Sequence, residues 1–325
     1  MSKLKIFHQI TIISNLGLTL MYSEKDLEDL KNGGKIISSV LKKIEPMIIP
    51  GKRIADIVDI IEKSFRSQPN AMPAFPTCVS ANEIAAHDTA RVIEDRIVPE
   101  NGILKIDLGV AINFNITDCA RSFGIGEYND KIIEASKKSL EAAIDIAKPG
   151  IKISELGKAI QSTIEKYGLK PIRNLTGHSI EKGILHAGIS IPNVGNLNMF
   201  SNKKLEEGML IAIEPFATDG SAGYVIDAPK NPPLIFSSTR RPKTALGKEI
   251  WKQYKQLPFS ARNAARFLTI TPQTRYRKIS RVCDIDGWAS YAPLMEKSKG
   301  IVAQSEDTIF LTENGNEIIT HGRYE

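Results

Sequence analysis

Apolar residues recurring at three- and four-residue steps predict four amphipathic helices, arranged as two similar pairs. The first pair opens at the capping box Ser23-Glu24-Lys25-Asp26 and continues through Lys35-Ile36-Ile37. It resumes after the Pro50-Gly51 turn with Ile54, Ile57 and Ile61 on one face. The second pair runs from Lys131-Ile132-Ile133 to Pro149-Gly150 and on to Ile153, Leu156 and Ile160. From the Pro-Gly turn onward each of these positions lies 99 residues after its counterpart, and the same offset carries Ser80 onto Ser179 and His87 onto His186. An apolar strand bearing an acid follows each pair, GILKID at 102–107 and GMLIAIE at 208–214, where the offset has drifted to 106. Repetition of helix, helix and strand predicts an α+β chain of two duplicated halves facing each other across a shared cleft.

The stretch KIDLGVAINFNITD, residues 105–118, reads as a β-hairpin for an apolar core, except for Asp107 and Asp118. Alternate strand residues share a face, and across a two-residue loop each residue opposes one of opposite parity. A loop at Asn113-Phe114 therefore sets Asp118 against Gly109, with the two carboxylates diagonal on one face. An odd-length loop or a bulge would separate them, and the turn lacks an Asn-Gly signal. Burying neighbouring carboxylates without a cation costs several kcal/mol or forces protonation. Either acid alone reads more simply as surface-exposed or paired with Lys or Arg; their company changes that. Glu214 and Glu306 stand in two further apolar strands, and His87, His178 and His186 sit among apolar or small residues. Four acids with a histidine suit a pair of divalent metal ions.

Residues 228–292 break the pattern, with 13 Lys or Arg against three acids, a net of +10 in a chain of net +6. Two short helices are predicted there, one presenting Ile250, Tyr254 and Leu257, the other capped by Ser260 and carrying Ala261, Ala264, Ala265 and Leu268. The segment reads as an inserted helical subdomain with a basic surface, after which residues 300–311 return to the core as a strand. An apolar fraction of 42% fits a globular chain. Cys78, Cys119 and Cys283 are far apart and form no CxxC, which argues against a disulfide framework or a zinc-thiolate site and for a reducing, cytoplasmic setting. Cys119 points away from Asp118 and reads as packing. No run reaches the roughly 18 apolar residues of a membrane span. Residues 1–20 show no export signal and read as an extension whose translation is left open, Met21 being an alternative start.

In order, AAH (85–87), KIDLG (105–109) with a second Asp eleven residues on, NLTGHSI (174–180), LHAG (185–188), AIEPF (212–216) and QSEDTI (304–309) resemble the motifs of the methionine aminopeptidases, in the type 2 form of archaea. The resemblance covers the chain from about residue 22 onward. It implies the pita-bread (creatinase/aminopeptidase) fold with pseudo-twofold halves, a catalytic domain at 21–227 and 293–325, and a winged-helix-like insertion at 228–292. It also implies two divalent ions per chain (Co, Mn, Fe or Zn) held by Asp107, Asp118, His178, Glu214 and Glu306, with Asp118 and Glu306 bridging. A metal-bridging water would be the nucleophile and Glu214 the general base. His87 and His186 would contact the scissile peptide and stabilise the oxyanion, and Phe75 and Leu185 would line the methionine pocket. The implied activity is removal of N-terminal methionine from nascent polypeptides, preferring small second residues, by a monomer. Where the family has AAHYTP this chain has Asp88 and Ala90; Ala111 replaces a common histidine, and Ser305 and Asp307 replace Phe and His. Asp88 and Asp307 are expected to add negative charge beside the centre and so to bear on rate, metal preference and pH optimum. Two alternatives remain: a proline dipeptidase of the same fold, or a ribosome- or RNA-binding relative with little catalysis, to which the basic insertion would contribute a ribosome contact.

Overall fold

The computed structural model describes residues 22–195, 203–229, 231–264, 268 and 271–320; the expectations for residues 1–20 and for Ala265 lie outside them. The first half contains α1 (Glu24–Ile44), α2 (Ile54–Arg66), β1 (Ala71–Pro73), β2 (Cys78–Ala81), β3 (Ile84–Ala86), β4 (Gly102–Ile112) and β5 (Asn115–Ile125). The second contains α3 (Asp130–Ile146), α4 (Ile153–Lys166), β6 (Lys170–Pro171), β7 (Thr176–Ile180), β8 (Ser190–Pro192), β9 (Leu210–Ile213), β10 (Phe216–Thr218) and β11 (Val225–Asp227). Then come β12 (Ile235–Ser237), α5 (Ala245–Tyr254), β13 (Phe259–Ser260), α6 (Ala261–Ala264), α7 (Pro272–Asp286) and β14 (Ala289–Tyr291). The chain closes with β15 (Leu294–Glu296), β16 (Val302–Gln304), β17 (Glu306–Thr312) and β18 (Gly315–Ile318). The main sheet runs β1-β4-β5-β17-β9-β7-β8, with β2 on β4 and β18 on β17.

Alternation along β4 decides what each sheet face does. Leu104, Ile106, Leu108 and Val110 are buried with Ile37 and Ile44 of α1 and Ile57, Ile61 and Phe65 of α2. Full burial of each such side chain contributes about 1.5–3 kcal/mol. Ile132 and Leu140 of α3 and Leu156 and Ile160 of α4 pack with Ile211 and Ile213 of β9. With the even residues of β4 turned to the helices, Lys105, Asp107, Gly109 and Ala111 point to the other face.

The duplication is visible bond by bond. Gly51 N–H donates to Val98 O, Ile54 to Arg96 O and Val98 to Lys52 O; Gly150 donates to Leu205 O, Ile153 to Lys203 O and Leu205 to Ile151 O. Ser80 pairs with Lys105 as Ser179 pairs with Ile211. Both Pro-Gly glycines take positive φ, 78° at Gly51 and 89° at Gly150, which only glycine adopts without strain.

The hairpin turns on two residues, Asn113 (φ 50°) and Phe114 (φ 68°), setting Gly109 opposite Asp118. Positive φ at both positions is the type I′ pattern. The turn is anchored to α1, where Asp29 Oδ2 accepts from Asn113 Nδ2 at 2.9 Å and Asn115 Nδ2 at 3.1 Å.

Two expectations need correction. The run 300–311 is two strands, because the chain changes partners at Ser305: β16 pairs with β10, whereas β17 pairs with β5 and β9. The segment 228–292 is not only helical, since β13, β12 and β14 form a three-stranded sheet beside α5, α6 and α7. Ser260 caps as expected, its Oγ accepting from Asn263 N–H at 3.0 Å, and Ile250, Tyr254 and Leu257 are buried together. Among the described residues no helix is long and apolar enough to cross a membrane.

Candidate metal centre

Strand register places the acids. Asp107 stands opposite Ala120, and Ala120 opposite Glu306, in one row across β4, β5 and β17; Asp118 lies two residues along β5 on the same face. From the second half, β7 brings His178, and Glu214 follows directly after β9. His178 Nε2 lies 3.5 Å from Asp118 Oδ2 and 3.7 Å from Glu214 Oε1. Gln304 Nε2 donates to Asp107 Oδ2 at 3.3 Å and to Glu306 Oε2 at 3.2 Å. Ligand atoms of Asp118, His178 and Glu306 all lie within 4.8 Å of one another, close enough to share one cation, with Asp107 and Glu214 flanking them.

The electrostatics of this cluster call for positive charge. Among the described residues no lysine or arginine forms an ion pair with Asp107, Asp118, Glu214 or Glu306. Burial, then repulsion from Asp118, pushes the Asp107 carboxyl well above its ordinary range; burial and repulsion from the other acids do the same to Glu214 and Glu306. Burial raises Asp118 to about 7, although hydrogen bonds from the Cys119 amide and with Glu306 oppose the shift. The histidines move the other way: burial lowers His87 and His178 to about 4 and His186 to about 3. Neutral imidazole is the form that ligates a metal. Asp107 Oδ1 and Asp118 Oδ1 are buried without a hydrogen-bond partner, an arrangement native proteins rarely tolerate. Four carboxylates and an imidazole with two orphaned oxygens fit divalent cations that take oxygen and nitrogen ligands.

The other expected residues surround this cluster. The His186 ring meets that of His178 edge-on, with centroids 4.5 Å apart. His87 holds a left-handed backbone (φ 63°), a strained conformation for a non-glycine residue, and its ring packs 5.6 Å from that of Tyr291. Phe75 and Leu185 belong to one buried apolar cluster. Phe75 lies so close to Gly109 that a Cβ there would come 2.3 Å from its ring, so the residue opposite Asp118 has room only for hydrogen.

The departures do not burden the centre as expected. Asp307 and Ser305 alternate with Glu306 and face the helices: Asp307 pairs with Arg121 Nη2 at 2.7 Å, and Ser305 Oγ lies 2.9 Å from Ser136 Oγ of α3. Asp88 pairs with Arg96, and Arg91 stands 3.8 Å away, although burial still raises its carboxyl above the ordinary value. Both added charges are thus partnered locally. Ala90 and Ala111 are buried. Cys119 lies in the apolar cluster under α1 and α2, on the face opposite Asp118.

Two residues at the site lie outside the expectations drawn from the sequence. Gln304 links Asp107 to Glu306; its alternation with Glu306 was a usable signal. Tyr291 reaches His87 from β14, within the basic insertion, and no local pattern marks it.

Comparison with known proteins gives this geometry a family. The model of "Metallopeptidase family M24" matches residues 28–313. A methionine aminopeptidase of Thermococcus onnurineus is 38% identical over 300 residues, covering 90% of this chain and 99% of the relative. Solved structures share the fold. The methionine aminopeptidase of Rickettsia prowazekii aligns at TM-score 0.67 and 23% identity, over 92% of this chain and 98% of that one. The prolidase of Pyrococcus horikoshii aligns at TM-score 0.60 and 19% identity, over 94% and 65%. The architecture is the pita-bread fold, and the chain belongs to metallopeptidase family M24, among the methionine aminopeptidases, as a metallo-aminopeptidase.

Proposed function

We propose that this protein removes the N-terminal methionine from nascent chains, preferring small second residues, at a centre of two divalent ions held by Asp107, Asp118, His178, Glu214 and Glu306. The observation that carries the reading is the set of four carboxylates around His178, Asp118 and Glu306 buried and Asp107 and Glu214 half-buried, with Asp107 Oδ1 and Asp118 Oδ1 unpartnered and, among the described residues, no lysine or arginine in an ion pair with any of them. Bound divalent ions supply a water of lowered pKa and polarise the scissile carbonyl. Glu214, beside His178, accepts a proton as general base. His186 and His87, held neutral by burial, donate hydrogen bonds to the oxyanion that develops. Phe75 and Leu185 receive the methionine side chain, whose burial contributes about 1.5–3 kcal/mol. All three cysteines are free and buried, which agrees with a cytoplasmic setting.

Competition between peptides tests this reading against a proline dipeptidase. Met-Ala-Ser should be cleaved after methionine, and an Xaa-Pro dipeptide left intact. Hydrolysis of the dipeptide alone would overturn the proposal.

A second reading concerns the insertion. Arg240, Lys248, Lys252, Arg277, Lys278 and Arg281 are exposed and carry no ion pair among the described residues. One of the segment's three acids, Asp286, is buried and accepts from Lys243 N–H, Thr244 N–H and Thr244 Oγ1. This face would dock on ribosomal RNA near emerging chains. Ribosome co-sedimentation should weaken steeply as salt rises; absent or salt-independent binding would end the idea.

A further inference from the structure

The seam between β5 and β17 joins Asp118 to Glu306, yet only two positions pair across it, Ala120 with Glu306 and Cys119 with Asp307. Side chains close the rest. Thr308 Oγ1 accepts from Asp118 N–H at 2.9 Å and donates to Asp118 O at 2.8 Å. Arg121, 4% exposed, donates from Nη1 to the carbonyls of Ala120 and Glu306, and from Nη2 to Asp307 Oδ1 at 2.7 Å. Asp307 Oδ1 also accepts from Thr320 Oγ1 at 2.7 Å, and Thr320 Oγ1 accepts from Thr308 N–H at 3.0 Å. An unbroken path of bonds therefore links the Glu306 peptide to the Asp118 peptide through Arg121, Asp307, Thr320 and Thr308. Its Arg121 and Asp307 side chains alternate with Ala120 and Glu306 and so lie on the helix face, behind the carboxylates.

A buried ion pair is a weak source of stability, because desolvation offsets most of the attraction and apolar replacement is often neutral. A guanidinium fork bonded to two carbonyls and a carboxylate supplies geometry instead. We propose that Arg121, paired with Asp307, is a positioning residue: it fixes the Glu306 backbone against that of Asp118, and with it the spacing of the two carboxylates that share the cation site. The proposal rests on the metal-centre reading. A shift of well under 1 Å between ligands is enough to degrade such a site.

The test is Co2+ titration of the metal-stripped protein, followed by calorimetry and visible absorption, beside the double variant Arg121→Met/Asp307→Leu. If the parent binds no Co2+, the metal-centre reading fails; if it binds, the variant judges this proposal alone. The double variant should keep the parent's melting temperature within a few degrees, bind Co2+ at least about tenfold more weakly, show an altered absorption spectrum, and lose kcat rather than KM. Parent-like affinity in the folded double variant would overturn the proposal. Should that variant unfold, Arg121→Lys decides, since lysine keeps the charge but loses the fork. A tenfold weaker affinity at unchanged melting temperature then upholds positioning, and parent-like affinity overturns it.

Discussion

Asp118→Asn is expected to lower hydrolysis of a Met-Ala-Ser peptide by roughly 10³-fold while leaving the protein folded. Asp118 is the acid closest to His178, and its oxygen groups with His178 and Glu306 within 4.8 Å. Asparagine keeps the shape and removes the charge that holds a cation. Losing about 4 kcal/mol of stabilisation at the carbonyl gives that factor. The metal-free variant should also be more stable than the metal-free parent at pH 8, because one of four crowded carboxylates, and one of the two that are buried, is gone. Activity within tenfold of the parent, at equal metal content, would remove Asp118 from the centre.

Stripping the metal should make stability fall as pH rises from about 6.5 to 8, and metal addition should abolish that fall. Asp118 moves from its ordinary 3.8 to about 7 in the fold, so the folded protein holds a proton that the unfolded chain has released. Stability is greatest where the carboxyl is protonated and is lost as pH climbs through 7. A gap of about three pKa units amounts to about 4 kcal/mol for this group over the whole span from pH 3.8 to 7, of which under about 1 kcal/mol is lost above pH 6.5; Asp107, Glu214 and Glu306 shift in the same direction and add to the fall. The histidines oppose this only at lower pH. Their folded values of about 3 to 4 lie below the ordinary 6.5, so their contribution is complete above 6.5 and fades as pH falls toward 4. Above pH 6.5 the carboxylates set the downward slope; the buried Lys105 amine, lowered from 10.5 to about 7, opposes it equally in stripped and metal-loaded protein and so cancels from the difference between them. Melting temperatures of chelated and metal-loaded protein at pH 6.5 and 8 check this: the gap between them should widen by several degrees. A constant gap would mean that the carboxylates are not jointly buried without metal.

Much of the site was legible because its residues obey short-range periods. Strand alternation and a two-residue loop sufficed to put Asp107 and Asp118 on one face. The weak point was the turn itself, where Phe114 takes the positive φ that glycine would usually supply, offset by packing on the central apolar cluster and by the Asp29 anchor from α1. The duplication was legible because each Pro-Gly turn makes the same backbone bonds. What escaped lies in contacts distant along the chain. Asp307 looked like an uncompensated charge because its partner, Arg121, is 186 residues away. The Asp88 pair with Arg96 spans only eight residues and was readable in principle. The α7 helix carried too weak an apolar stripe to announce itself, burying Ile279, Val282 and Cys283 among many cations. The break at Ser305 is a change of strand partner, which no local propensity encodes.

The most direct test of the account is a metal titration of the stripped protein, with Met-Ala-Ser hydrolysis and bound metal measured together. The account predicts no hydrolysis without metal, and activity that rises with occupancy and saturates at two ions per chain, with neither binding nor activity restored in Asp118→Asn. Full hydrolysis by the stripped protein, or tight binding unaffected by loss of Asp118, would contradict it.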